Sequence, residues 1–379
     1  MKKIGAIVLA IVLVIAFALP YIGKNESNPE QMIDFGFKSS NTFLSVQQGK
    51  PFVFVMNAGQ NVDRIELSLN GNLVKSWAAE EKRVWAEGEA LTFQIPTQEY
   101  ALGTYSIELS GFSSGELVNN DERFLFVNAN NALQEQEFEL LDTHPHNPNN
   151  FTQGYEFFED ELYESTGNPR QTNATMVAEI NKTTGASIKE VKQPNPIFGE
   201  GITILGSKIY QVSWQDEKCF VYDLAGLNVL DTLNYQGEGW GLCNDGTNII
   251  MSNGTNKLTF RDPKYFGVLK TIEVHSDRGP VTNLNELDYV NGRIYANVWM
   301  SEQRFQHDSR MNLTKIVVID PETGAVESFI DIQDILRKAS ATNVPNGIAY
   351  RKKTNTFWLT GKYWNQVYEI SLKAKSIKV

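Results

Sequence analysis

Five residues of types that do chemistry, Gln153, Glu200, Trp240, Asn285 and Asn346, head five similar segments of this chain. The segments read Gln153-Gly-Tyr-Glu-Phe, Glu200-Gly-Ile-Thr-Ile, Trp240-Gly-Leu-Cys-Asn, Asn285-Glu-Leu-Asp-Tyr and Asn346-Gly-Ile-Ala-Tyr. Each leads through a turn into a second apolar run headed by Tyr163, Tyr210, Ile250, Tyr295 or Trp358. Four residues further on stand Gly167, Trp214, Gly254, Trp299 and Lys362. A carboxylate can take a proton and return it. Amides hold polar groups by donating and accepting, and a lysine can stabilise a developing oxyanion. Tryptophans exclude water. Glu200 is the only carboxylate among the five lead residues, so a proton transfer in an aromatic pocket would centre on it.

These residues can cooperate only if the elements that carry them converge. The lead residues are 47, 40, 45 and 61 positions apart. Self-similarity at 40–50 residues is the signature of a β-propeller, where equivalent points of successive blades face one axis. The fold class read from the sequence is therefore all-β, a five-bladed β-propeller over residues 137–379. The strand at Glu137–Asp142 either closes the ring beside the last strand, Gln366–Leu372, or belongs to the first blade. The longest step holds Asp331–Ala339, whose apolar Ile332, Ile335 and Leu336 predict a short helix. The tryptophans have a plainer alternative role as plugs closing a blade.

Ahead of the repeats, residues 36–130 carry about seven short β-type runs, with a hairpin turn at Asn70-Gly71. They predict a small immunoglobulin-like β-sandwich without a catalytic cluster. Asn128–Gln136 reads as a linker. Residues 1–22 begin Met-Lys-Lys and continue apolar from Ile4 to Leu19, which fits a signal peptide or a membrane anchor. The folded part is then exported, whether periplasmic, secreted or anchored. Export permits a Cys219–Cys243 disulfide, and two buried thiols is the alternative. The net charge of -11, without a long basic run, argues against nucleic acid as a partner. His144 and His146 lack a third ligand and read as structural. Glu286 and Asp288 also read as structural or supporting, and Glu238 as a rim carboxylate.

From about Glu137 onward the chain resembles the plant- and bacterial-type glutaminyl-peptide cyclotransferases, which are five-bladed propellers. The resemblance rests on Phe151-Thr-Gln-Gly, Tyr163-Glu-Ser-Thr-Gly, Gly199-Glu-Gly-Ile-Thr, Tyr210-Gln-Val-Ser-Trp, Gly239-Trp-Gly-Leu, Leu284-Asn-Glu-Leu-Asp-Tyr, Tyr295-Ala-Asn-Val-Trp, Asn346-Gly-Ile-Ala-Tyr and Thr360-Gly-Lys, in family order. It implies conversion of an N-terminal glutamine, on a peptide or protein substrate, to pyroglutamate with release of ammonia. It also implies Glu200 as the catalytic acid and Gln153, Trp214, Trp240, Asn285, Trp299 and Lys362 as the substrate pocket. No metal or other cofactor is implied. Two rivals stand beside it. One is a non-catalytic propeller that binds peptide or sugar through its aromatic axis, and the other a metal-dependent hydrolase, disfavoured by tryptophans where ligands would be needed. Every matched motif follows residue 150, so the sandwich is expected to be dispensable for chemistry.

Overall fold

The computed structural model describes residues 35–59, 61–79, 90–168, 175–194, 196–299, 307–339 and 344–373. The apolar segment at residues 1–22 lies outside them. The described part is all-β, with one short helix at Gln333–Lys338 inside the stretch where the sequence predicts it.

The first three repeats each form an antiparallel sheet of four strands in chain order, the fourth adds a short parallel strand at its edge, and the fifth combines three strands of its own with one from ahead of the repeats. The innermost strands are Thr152–Phe158, Gly199–Leu205, Leu242–Asn244, Leu284–Val290 and Pro345–Arg351. The second strands, such as Glu161–Thr166 and Thr356–Gly361, are buried almost throughout, whereas the outer strands Ser187–Gln193, Val229–Asn234 and Val268–Glu273 are mostly exposed. A strand buried on both faces needs an apolar layer on each side. Five apolar cores supply these layers, each shared by two neighbouring sheets. Ile202 and Tyr163 join the first sheet to the second, and Leu242 and Val212 the second to the third. Leu284 and Ile250 join the third to the fourth, and Ile348 and Val290 the fourth to the fifth. Tyr155 and Trp358 join the fifth back to the first. The sheets therefore close into a ring. Its closure uses Phe138–Pro145, which pairs antiparallel with Gln366–Leu372, the first of the two arrangements open from sequence.

At the centre the inner strands approach so closely that the residue after the lead residue is glycine in four of five sheets. A Cβ on Gly154 would fall 2.5 Å from the Ile202 nitrogen, and one on Gly201 2.6 Å from the Leu242 nitrogen. The exception is Glu286, whose carboxylate crosses the axis to accept from the backbone N–H groups of Tyr155, at 3.2 Å, and Ile348, at 2.8 Å. It satisfies donors on the first and fifth sheets from the fourth.

Between Phe35 and Asn128 the described residues form a three-stranded and a five-stranded sheet around a separate core that includes Phe37, Met56, Ile65, Leu67 and Leu109. Asn70 and Gly71 both adopt positive φ, 48° and 75°, as a tight hairpin of the expected kind requires. The stretch read as a linker is tied down. Asn128 Oδ1 meets His275 Nδ1 at 3.0 Å, the Ala129 N–H donates to the Ser276 carbonyl, and Gln134–Glu135 pairs parallel with Ser328–Phe329. Cys219 and Cys243 are free, buried thiols, so the disulfide left open by the sequence is not formed.

Gly154→Ala is expected to destabilise the protein by about 1–3 kcal/mol, because its new methyl meets backbone that cannot step aside. Gly267→Ala, which meets nothing within 4 Å, should stay within about 0.5 kcal/mol of the parent. Chemical denaturation reads both, and equal effects would contradict the close approach at the axis.

Candidate active site

Four of the five lead residues sit where strand pairing is interrupted. The register between first and second strands shifts between Thr152 and Gly154, Gly199 and Ile202, Leu284 and Leu287, and Pro345 and Ile348. Gln153, Glu200, Asn285 and Asn346 all fall within these bulges. A bulge re-aims a side chain that regular pleating would send into the sheet. One backbone hydrogen bond then recurs in four sheets. Gly167, Trp214, Trp299 and Lys362 each donate N–H to the carbonyl two residues before the lead, on Phe151, Phe198, Asn283 and Val344, at 2.9, 2.9, 2.8 and 3.1 Å. It holds the end of the second strand beside the lead residue and gives both sets one pocket.

Three groupings result. In the first, Asn346 Nδ2 donates to Gln153 Oε1 at 2.7 Å and Gln153 Nε2 donates to Glu200 Oε1 at 2.8 Å. Among the described residues nothing donates to Glu200 Oε2. In the second, the indole N–H groups of Trp214 and Trp240 both donate to Glu238 Oε2 at 2.9 Å, and Gln215 Nε2 donates to Glu238 Oε1. In the third, Trp240 and Trp299 meet edge to face with centroids 5.3 Å apart. The Lys362 ammonium lies 4.7 Å from the Phe151 ring centre and 5.6 Å from that of Trp299. Gly254, at φ 78°, makes the aromatic wall possible, since a Cβ there would lie 2.5 Å from the Trp240 ring. Asn285 is buried beside Gly241, and its Oδ1 has no partner among the described residues.

Burial sets the electrostatics. Glu200 is 5% exposed. Desolvation pushes its carboxyl well above the usual glutamate range, Lys362 opposes the rise, and Glu238 adds to it. Desolvation likewise pulls the Lys362 ammonium down to about 8, against the pull of Glu200. Burial thus disfavours the charged form of each, and each favours the charged form of the other. Further along the inner strands Glu156, Glu286 and Asp288 are also raised, chiefly by desolvation, while accepting from the backbone N–H groups of Ile204, Tyr155, Ile348 and Tyr350. These carboxylates tie sheets together. His146 meets the Trp364 carbonyl and Glu164, and His144 stacks on Trp358 and meets Glu369.

Hydrogen bonds, ring contacts and charge coupling connect Gln153, Glu200, Trp214, Trp240, Trp299 and Lys362, with Asn285 alongside. Sequence reasoning missed Phe151 and Phe198. Phe198 packs edge-on against Trp214 at 5.7 Å and against Phe151 at 6.1 Å. Both stand two residues before a lead residue, as Glu238 does, and that offset was the available signal.

The family model for glutamine cyclotransferase matches residues 117–372. The chain belongs to the glutamine cyclotransferase family. Its match starts inside the strand Glu116–Asn128 of the N-terminal part, ahead of the ring. The glutaminyl-peptide cyclotransferase of Arabidopsis thaliana is 33% identical over 249 residues, which is 64% of this chain and 73% of that protein. The crystal structure of Myxococcus xanthus glutaminyl cyclase superposes with a TM-score of 0.57 at 29% identity, covering 64% of this chain and all of the other.

Glu238→Ala should release both indoles and cost about 1–3 kcal/mol, the range for leaving polar partners unpaired. It should also weaken the near-ultraviolet circular dichroism of the tryptophans. Glu238→Gln, which keeps an acceptor oxygen, should retain most of that signal. An unchanged Glu238→Ala spectrum would show that the bracket does not hold the wall.

Proposed function

We propose that this protein cyclises the N-terminal glutamine of peptides or proteins to pyroglutamate and releases ammonia. The ring of sheets is read as a five-bladed β-propeller and the N-terminal sheets as an immunoglobulin-like module that contributes no side chain to the pocket. The observation that carries the reading is the buried carboxylate of Glu200, with one oxygen held by Gln153 and no donor to the other among the described residues, in one pocket with an aromatic wall. Family membership and the names of its two relatives support it.

The chemistry follows from these groups. The substrate's neutral α-amine attacks its own side-chain amide carbon and a C–N bond forms. Glu200 takes the proton that the amine sheds and returns it to the amide nitrogen. The old C–N bond breaks and ammonia leaves. Ring closure is intramolecular, so the pocket mainly holds the reactive conformer. Trp214, Trp240 and Trp299 exclude water, Asn285 and Gln153 hold the amide or the amine, and Lys362 stabilises the developing oxyanion. The donor set of indoles, amides, one lysine and one glutamate supports a mechanism that needs no metal. The apolar segment near the N-terminus supports export, with or without a retained anchor.

Incubation with a glutamine-initiated dipeptide tests the function. Ammonia and a product lighter by the mass of ammonia are expected, and pretreatment with chelator should leave the rate unchanged. Substrate bound but recovered intact would leave a binding module, and a loss restored by zinc would overturn the metal-free mechanism.

The turnover number should be bell-shaped in pH. Glu200 must start as a carboxylate, and its pKa is raised, so the reactive form is lost as pH falls through a value above the ordinary glutamate range of about 4.3. Lys362 must stay protonated, and it loses its proton as pH rises through about 8. A turnover number flat between about pH 5 and 9 would contradict both assignments.

A further inference from the structure

The fifth lead residue, Asn346, bonds to Gln153 but has no role in the chemistry proposed above. It is fully buried. Its Nδ2 donates to two acceptors, the Thr152 carbonyl at 3.1 Å and Gln153 Oε1 at 2.7 Å. Its Oδ1 has no partner among the described residues. These contacts fix an orientation that an amide otherwise leaves open. The Thr152 carbonyl is backbone and can only accept, so Asn346 must present its NH2 on that side. Gln153 must then present its oxygen to Asn346 and its NH2 to Glu200.

We propose that Asn346 is a positioning residue that sets the proton state and the working oxygen of Glu200 through Gln153. With an N–H donor fixed on Oε1, the ionised carboxylate is favoured over the acid, and any proton Glu200 carries resides on Oε2. Oε2, to which nothing donates among the described residues, is then the oxygen that takes up and returns the proton. A reversed Gln153 would set its carbonyl against Glu200 and hold the acid form. The backbone carbonyl of Thr152 is thus relayed over two amides to the axial carboxylate. The charged and titratable groups around Glu200 are Lys362 from the fifth sheet, Glu238 from the turn before the third, and Tyr235. None of them lies between Asn346 and Gln153 in the hydrogen-bond chain. The proposal rests on Glu200 being the proton shuttle, but its consequence for the titration of Glu200 does not depend on turnover.

Infrared difference titration of the whole protein tests it. The protonated carboxyl band of Glu200 is assigned by its loss in Glu200→Gln, which separates it from Glu156, Glu286 and Asp288. Asn346→Asp places an acceptor where the donor was and turns Gln153 round. The Glu200 band should then persist to a pH higher by about one unit, a tenfold smaller ionised fraction at a given pH. Asn346→Leu carries no charge and frees Gln153 to adopt both orientations. It should shift the band in the same direction by less and lower kcat about tenfold with KM little changed. Gln153→Met, which removes the relay itself, should abolish the difference between Asn346 and its variants. Folded Asn346→Leu protein with the parent's Glu200 titration would overturn the proposal, as would Asn346 variants that still shift it without Gln153. Absence of cyclase activity in the parent protein would sink the functional reading while leaving the titration to decide the relay.

Discussion

At the axis of the ring, five inner strands come within contact of one another, and that approach governs the rest. Gly154, Gly201 and Gly241 have no Cβ because a neighbouring backbone already fills the place. At the same level the pairing to the second strands is broken by bulges, so Gln153, Glu200, Asn285 and Asn346 turn away from their own sheets. Where glycine is absent, Glu286 binds N–H groups of two other sheets across the axis. The site is thus a by-product of closure, as residues far apart in the chain meet only because the fifth sheet packs against the first.

Closeness also sets the electrostatics. A carboxylate in a space walled by rings loses water on most sides, and desolvation dominates the behaviour of Glu200 and of Lys362. Neither charge is quenched by direct pairing among the described residues. Each is instead moved toward its neutral form, and for Glu200 that suits the proton-transfer role proposed for it. The second carboxylate, Glu238, differs in being engaged on both oxygens, one by two indole N–H groups and the other by Gln215.

Much of this arrangement was legible in the sequence because it repeats. The lead residues and those four places into the second run could be aligned by eye, and the structure joins most of them by hydrogen bonds and ring contacts. The Asn70-Gly71 turn and the helix at Gln333–Lys338 were legible for local reasons, positive φ in one case and apolar spacing in the other. Phe151, Phe198 and Glu238 share an offset but not a residue type, so no common pattern marks them. The bracket of two tryptophans on Glu238 depends on where indole nitrogens end up after the sheets pack. The two-residue strand Gln134–Glu135 is too short to carry a period, and it pairs with a segment almost 200 positions away. The free thiols of Cys219 and Cys243 sit in successive sheets, as the sequence implied, but each is enclosed in a different apolar core.

The central claim is that one buried carboxylate moves the proton. The most direct measurement is steady-state turnover of a glutamine-initiated dipeptide by Glu200→Gln, which keeps the shape of the side chain and removes the exchangeable proton. The account expects a fall in kcat of about 10²–10⁴ with KM close to the parent value, since the tryptophans and amides that hold the substrate remain. A folded Glu200→Gln protein that turns over at nearly the parent rate would contradict it.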